Sequence, residues 1–155
     1  MKKDAILSED RQYRYVLSRI WDANKPIVVF IGLNPSTADE LNDDSTISKC
    51  INYAKSWGYG GFYMLNLFAY RAKNPSDMFN AKEPIGSEND NFIKEYIKKS
   101  DKVVCVWGNN GDFKQRGESV LELVPNAYYL KLNKSGQPAH PLYLKSDLIP
   151  QRLQK

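Results

Sequence analysis

Three carboxamides and the chain's one imidazole are the side chains best placed for chemistry: Asn34, Asn66, Asn109 and His140. Each follows an apolar run. Val28-Val29-Phe30-Ile31-Gly32-Leu33 leads into Asn34-Pro35-Ser36-Thr37, Phe62–Leu67 contains Asn66, Lys102–Trp107 precedes Asn109, and Ala127–Leu132 precedes His140. A carboxamide offers a donor and an acceptor in one plane, and a neutral imidazole can donate a hydrogen bond. Gly32 allows close backbone approach to a ligand, and Pro35 stops the strand and biases Asn34 toward an extended conformation. Asn34 is therefore expected to stand rigidly at the mouth of a sheet, with Ser36 beside it. The structural alternative is that Asn34 is a turn residue and Asn66 a backbone cap.

Asp43-Asp44-Ser45-Thr46 opens a helix. Acidic residues there cap free N–H groups and favour the helix dipole. The alternative is that Asp44 faces a pocket as a general base. Cys50 and Cys105 match no metal or redox spacing, and with one histidine no ligand cluster stands out. No metal and no cofactor are expected, and both cysteines read as core residues.

The elements that must position these residues follow from periodicity. Tyr13–Trp21 partly alternates and reads as an edge strand, and Ile27–Leu33 is short, apolar and buried on both faces. Ile47, Cys50, Ile51, Ala54 and Trp57 recur at helical spacing, ended by Gly58-Tyr59-Gly60-Gly61. Buried strands are expected at Phe62–Leu67, Lys102–Trp107 and Ala127–Leu132. Helices are expected from Ser87, with Asp90 completing a capping box, and around Arg116–Leu123. This rhythm predicts an α/β fold: one three-layer α/β/α domain over residues 1–155, with a central, mainly parallel four-stranded sheet. Strand ends converge on one edge of such a sheet, so one pocket could collect all four polar residues.

A hydrophobic fraction of 42% and a charged fraction of 26% are those of an ordinary globular domain. No apolar run approaches the roughly 20 residues that span a membrane. No apolar segment follows Met1-Lys2-Lys3-Asp4, so no signal peptide is predicted and cytoplasmic residence is expected. A net charge of +4 is compatible with a nucleic-acid partner without demanding one. Lys2, Lys3, Arg11, Arg14 and Arg19 form a basic N-terminal group, and Arg71 and Lys73 follow the Asn66 strand. They either track phosphates or form solvated faces. Oligomeric state is not legible.

Several blocks together carry a family resemblance: Arg14-Tyr15, Gly32-Leu33-Asn34-Pro35-Ser36-Thr37-Ala38, Asp43-Asp44-Ser45-Thr46-Ile47 and Trp57-Gly58-Tyr59-Gly60-Gly61. They continue with Asn66-Leu67-Phe68-Ala69-Tyr70-Arg71-Ala72, Val106-Trp107-Gly108 and Gly136–Leu144. In these the chain resembles the family known as domain of unknown function 1643. The order Gly-x-Asn-Pro, Leu-x-Asn, Trp-Gly and His-Pro-x-x-Leu also resembles, more distantly, the uracil-DNA glycosylase superfamily.

The second resemblance implies a glycosylase-like fold and the hydrolysis of an N-glycosidic bond in DNA or a nucleotide. It implies that Asn34 holds the hydrolytic water, Asn66 reads a base edge, and His140 donates to the leaving oxyanion. Outside that resemblance, one of the pair Asp43 and Asp44, with Asp44 the candidate, would face the pocket and supply the general base that Asn34 cannot. Phe68 or Tyr70 would stack on the base, and Leu144 would fill the gap left by a flipped base. The expected partner is a nucleic acid or a nucleotide. Two alternatives use the same pocket: a protein that binds a nucleotide or modified base without cleaving it, and a nucleobase-modifying transferase.

Overall fold

The computed structural model describes residues 1–154. Seven strands form one sheet: β1 (Lys2–Leu7), β2 (Arg14–Ile20), β3 (Ile27–Gly32), β4 (Gly61–Asn66), β5 (Lys102–Cys105), β6 (Ala127–Tyr129) and β7 (Gln151–Arg152). Their order is β1-β2-β4-β3-β5-β6-β7. The helices are α1 (Ser45–Ser56), α2 (Pro75–Phe79), α3 (Asn89–Ile97) and α4 (Arg116–Leu121), and a 3-10 segment spans Asn109–Gln115.

The sheet is mixed, which overturns the expected three-layer fold around a four-stranded, mainly parallel sheet. β3 pairs in parallel with β4 and β5, and β5 with β6. β1–β2, β2–β4 and β6–β7 are antiparallel. β1 explains most of the difference. Its sequence, Lys-Lys-Asp-Ala-Ile-Leu, is half charged and exposed at its start, which conceals a strand from periodicity while blunting a sheet edge against aggregation. It also displaces β2 from the edge: β2 lies between β1 and β4 with most of its side chains buried.

Alternation along the inner strands divides the core in two. Val29, Ile31, Leu65, Val103 and Cys105 point to the face covered by Met78 of α2, Ile93 of α3 and Val120 of α4. Val28, Phe30, Met64 and Val104 point to the other, where Ile47, Cys50, Tyr53 and Ala54 of α1 pack. That second face is closed by one helix and irregular chain: Leu144 and Leu148 press against the same cluster. Both cysteines are fully buried, and burial pushes the Cys50 thiol well above its ordinary pKa.

α1 begins as its sequence predicts, with Asp44 Oδ1 accepting from Ile47 N–H at 2.9 Å. α3 does not. Its N-cap is Glu88 without a side-chain bond, and Asp90 instead pairs with the buried Arg116. The expected capping box is thus replaced by a link between α3 and α4. No helix among the described residues is long and apolar enough to cross a membrane.

Candidate functional site

A cleft of about 510 Å³ opens where β3, β4 and β5 end and α1 begins. It is lined by Gly32, Asn34, Pro35, Ser36, Asp44, Asn66, Trp107, Asn109 and His140, among others. Two of its walls are local consequences of strand pairing. After β3 and β4 end, Leu67 and Phe68 N–H donate to the carbonyls of Gly32 and Leu33, both at 2.9 Å, and Ala72 N–H donates to Pro35. The two post-strand segments therefore run together and carry Asn34 and Asn66 to the same opening.

Asn34 is tethered at one end. Its Nδ2 donates to the carbonyls of Pro35 at 3.1 Å and Ala72 at 3.0 Å. Oδ1 accepts nothing among the described residues, so the carboxamide presents an oriented acceptor to the cleft. Such a group holds a water by one of its protons and leaves the oxygen lone pair free.

Asn66 is the opposite case. It is 3% exposed, and its Nδ2 is buried without a hydrogen-bond partner. A buried donor left unpaired costs about 1–3 kcal/mol, so its place at the cleft is the feature that calls for an explanation. The backbone beneath it is fixed by two residues that sequence reasoning passed over. Asn89 Nδ2 donates to the carbonyls of Asn66 and Leu67 at 3.0 and 3.1 Å, and Arg116 Nε donates to Leu67 at 2.8 Å.

His140 stands at the rim. Leu142 N–H donates to its Nδ1 at 3.3 Å, which makes Nδ1 the acceptor and places the neutral ring's proton on Nε2. Burial pushes its pKa below the ordinary histidine value, with Asp44 opposing that shift. With Nδ1 accepting, Nε2–H is the ring's donor. Gly108 makes room for this arrangement through its backbone: at φ +79° it turns the chain after β5 alongside His140.

The two adjacent aspartates separate cleanly. Asp43 belongs to structure: its Oδ1 accepts from Arg19 Nε at 2.7 Å and its Oδ2 from Lys3 Nζ at 3.1 Å. Burial would raise its pKa, but these bonds hold it below the usual carboxylate range. Arg19, with no exposed surface, also donates to the carbonyls of Asp39 and Asn42, and so clamps the loop leading into α1. Asp44 caps α1 with one oxygen while lining the cleft.

Arg14 is a site residue that sequence reasoning placed only in a surface group of cations. It is 2% exposed and lines the cleft. Nη1 donates to the Ala38 carbonyl at 3.1 Å, while Nε is buried without a partner. Desolvation lowers its pKa to about 10, against the pull of Asp44. Its burial is not marked in the sequence, since β2 also carries Ser18 and Arg19 and reads as a partly polar strand.

Three expected residues lie elsewhere. Phe68 has no exposed surface and packs on Phe113, with ring centroids 5.5 Å apart. Tyr70 makes an edge contact with Tyr13 and lines a neighbouring groove. Leu144 packs into the core under α1, and its carbonyl accepts from Lys49 at 2.7 Å. The fully exposed residue of that loop is Tyr143, held at φ +70°. The aromatic ring lining the cleft is Trp107, whose Nε1 donates to Gln137 at 2.8 Å. No group of three or more His, Cys, Asp or Glu side chains comes together as a metal site among the described residues.

A protein-family model described as "Protein of unknown function (DUF1643)" matches residues 14–142. The chain belongs to the DUF1643 family. The match spans every cleft residue named above, so the cleft lies wholly within the DUF1643 region. No curated protein and no solved structure matches the chain. Neither comparison supports the resemblance to uracil-DNA glycosylases, and the mixed seven-stranded sheet is not the fold which that resemblance implied.

Proposed function

We propose that this DUF1643 protein binds a nucleobase attached to a sugar and hydrolyses the N-glycosidic bond between them. The observation that carries the reading is the unpaired, buried Nδ2 of Asn66 in one cleft with the oriented Oδ1 of Asn34, the Asp44 carboxylate and the neutral His140. Asn66 supplies a donor and an acceptor for a planar base edge. Asn34 Oδ1 orients a water toward the anomeric carbon. The water oxygen bonds to that carbon, the C–N bond breaks, and its electron pair leaves with the base. Asp44 takes the water proton. His140 Nε2–H donates to the oxygen on which the base's negative charge develops, and solvent later reprotonates the base.

The substrate is a nucleotide or an unpaired base in a single strand. Pulling a base from a duplex costs a few kcal/mol and calls for a side chain to fill the gap, and Leu144 is committed to the core.

The test is release of free base from nucleoside monophosphates and from oligonucleotides carrying uracil, hypoxanthine, xanthine or hydroxymethyluracil. Products are read by chromatography and abasic-site cleavage. Asn34→Ala is expected to abolish release while leaving ligand affinity within a few-fold. Absence of release from every substrate overturns the hydrolytic reading.

A further inference from the structure

The cleft shares Ser36, Ala72 and Lys73 with a second groove of about 420 Å³, whose other lining includes Arg11 and Arg71. The ion pairs sort these cations. Arg11 is neutralised by Glu40, with Nη2 2.9 Å from Oε1. Arg71 has no carboxylate within ion-pair distance among the described residues: Nη1 donates to the Arg11 carbonyl at 3.2 Å and Nε is buried without a partner. Lys73 is exposed and makes no hydrogen bond or ion pair among the described residues. Across the shared wall stands Arg14, also with an unpaired Nε, and Arg71 is close enough to destabilise its charge.

Asp44 and Asp39 act on Arg14, and Asp39 on Arg71, but among the described residues no carboxylate lies within ion-pair distance of Arg14, Arg71 or Lys73, so their like charges repel without a direct partner. The segment bearing Arg71 and Lys73 is nevertheless fixed in place, because Asn34 Nδ2 donates to the Ala72 carbonyl between them. The arrangement is a fixed cluster of cationic donors beside the Ser36 hydroxyl. We propose that Arg71, Lys73 and Ser36, backed by Arg14, form a phosphate subsite for the phosphate group of the ligand whose base occupies the cleft. The proposal rests on the nucleobase reading for what the phosphate is attached to, but not for the phosphate itself. Arginine and lysine around a hydroxyl suit phosphate oxygens, with arginine able to bind two at once.

The experiment measures binding by calorimetry to the whole protein and to an Arg71→Gln/Lys73→Gln double variant, whose fold is checked by circular dichroism. The probes are nucleosides, their 5′-monophosphates, inorganic phosphate and a single-stranded octanucleotide. Wild type is expected to bind a monophosphate about tenfold or more tighter than its nucleoside. The double variant should lose that advantage while keeping nucleoside affinity within about twofold. An octanucleotide that binds no better than the monophosphate identifies a free nucleotide as the source. Tighter binding with a steeper salt dependence identifies a strand backbone. Inorganic phosphate binding to wild type but not to the variant, with no base-bearing probe bound more tightly, supports the subsite and rejects the base reading. No advantage for phosphate in wild type, or one that survives in the variant, overturns the subsite.

Discussion

Gly32 and Asn66 are register partners at the ends of adjacent parallel strands, and a β-carbon at position 32 would lie 2.9 Å from Asn66 Oδ1. The glycine is what leaves room for the Asn66 carboxamide in its present position. The obstructed atom is the far end of a side chain, so Gly32→Ala should be accommodated by turning that carboxamide. We expect a small stability loss, about 1 kcal/mol or less, with ligand affinity reduced about tenfold or more. Thermal denaturation and calorimetry measure the two separately. Unchanged affinity would mean that Asn66 does not read the ligand.

Asn66 itself should show a trade between stability and function. Its Nδ2 is buried and unpaired. Replacing it with leucine, a side chain of similar size, removes the unmet donor in an already apolar setting beside Met64 and Val106. Asn66→Leu should leave the melting temperature unchanged or raised, since relief of the unpaired donor is worth about 1–3 kcal/mol. Ligand binding should disappear. A strongly destabilised variant would show that Asn66 serves the fold rather than the cleft.

Adjacent aspartates give a sharper contrast. Asparagine caps a helix as well as aspartate does, so Asp44→Asn should change stability by less than about 1 kcal/mol while lowering turnover about 100-fold or more. Asp43→Asn should do the reverse, because it leaves the Arg19 guanidinium without its carboxylate. We expect a loss of about 1–3 kcal/mol, moderated by the partial exposure of Asp43, and near-normal turnover per folded molecule. Since the folded-state pKa of Asp43 lies below its unfolded value, its contribution is complete above about pH 4 and is lost as pH falls through the folded value. Urea denaturation from pH 7 to pH 3 should therefore show a steeper decline for wild type than for Asp43→Asn.

Much of the site was legible because it depends on strand ends. Apolar runs of residues 27–33, 62–67 and 102–107 locate their own termini, and pairing brings those termini together. Sheet composition was less legible: β1 is charged at its start and β7 has two residues, so neither presents a hydrophobic period. Roles that depend on direction were not legible at all. Phe68 and Leu144 have the right chemistry for stacking and wedging, but apolar side chains near a site are drawn into the nearest core, as both are. Arg14 was hidden for the converse reason, since a cation among cations in sequence reads as surface until its burial is seen.

His140 is the only histidine in the chain and therefore gives a single, unambiguous nuclear magnetic resonance signal. Burial places its pKa below the ordinary value of about 6.5, so titration of the ring Cε1–H should have its midpoint under that value. At neutral pH the 15N shifts should report the Nε2–H tautomer, because Nδ1 accepts from Leu142. Asp44 opposes the shift, so Asp44→Asn should move the midpoint lower still. Protonation turns Nδ1 into a donor and removes the Leu142 bond at the cleft rim. Ligand affinity should then be flat above about pH 6.5 and fall below the measured midpoint, in step with the titration. A midpoint above 6.5, the opposite tautomer, or affinity indifferent to His140 protonation would remove the imidazole from the site.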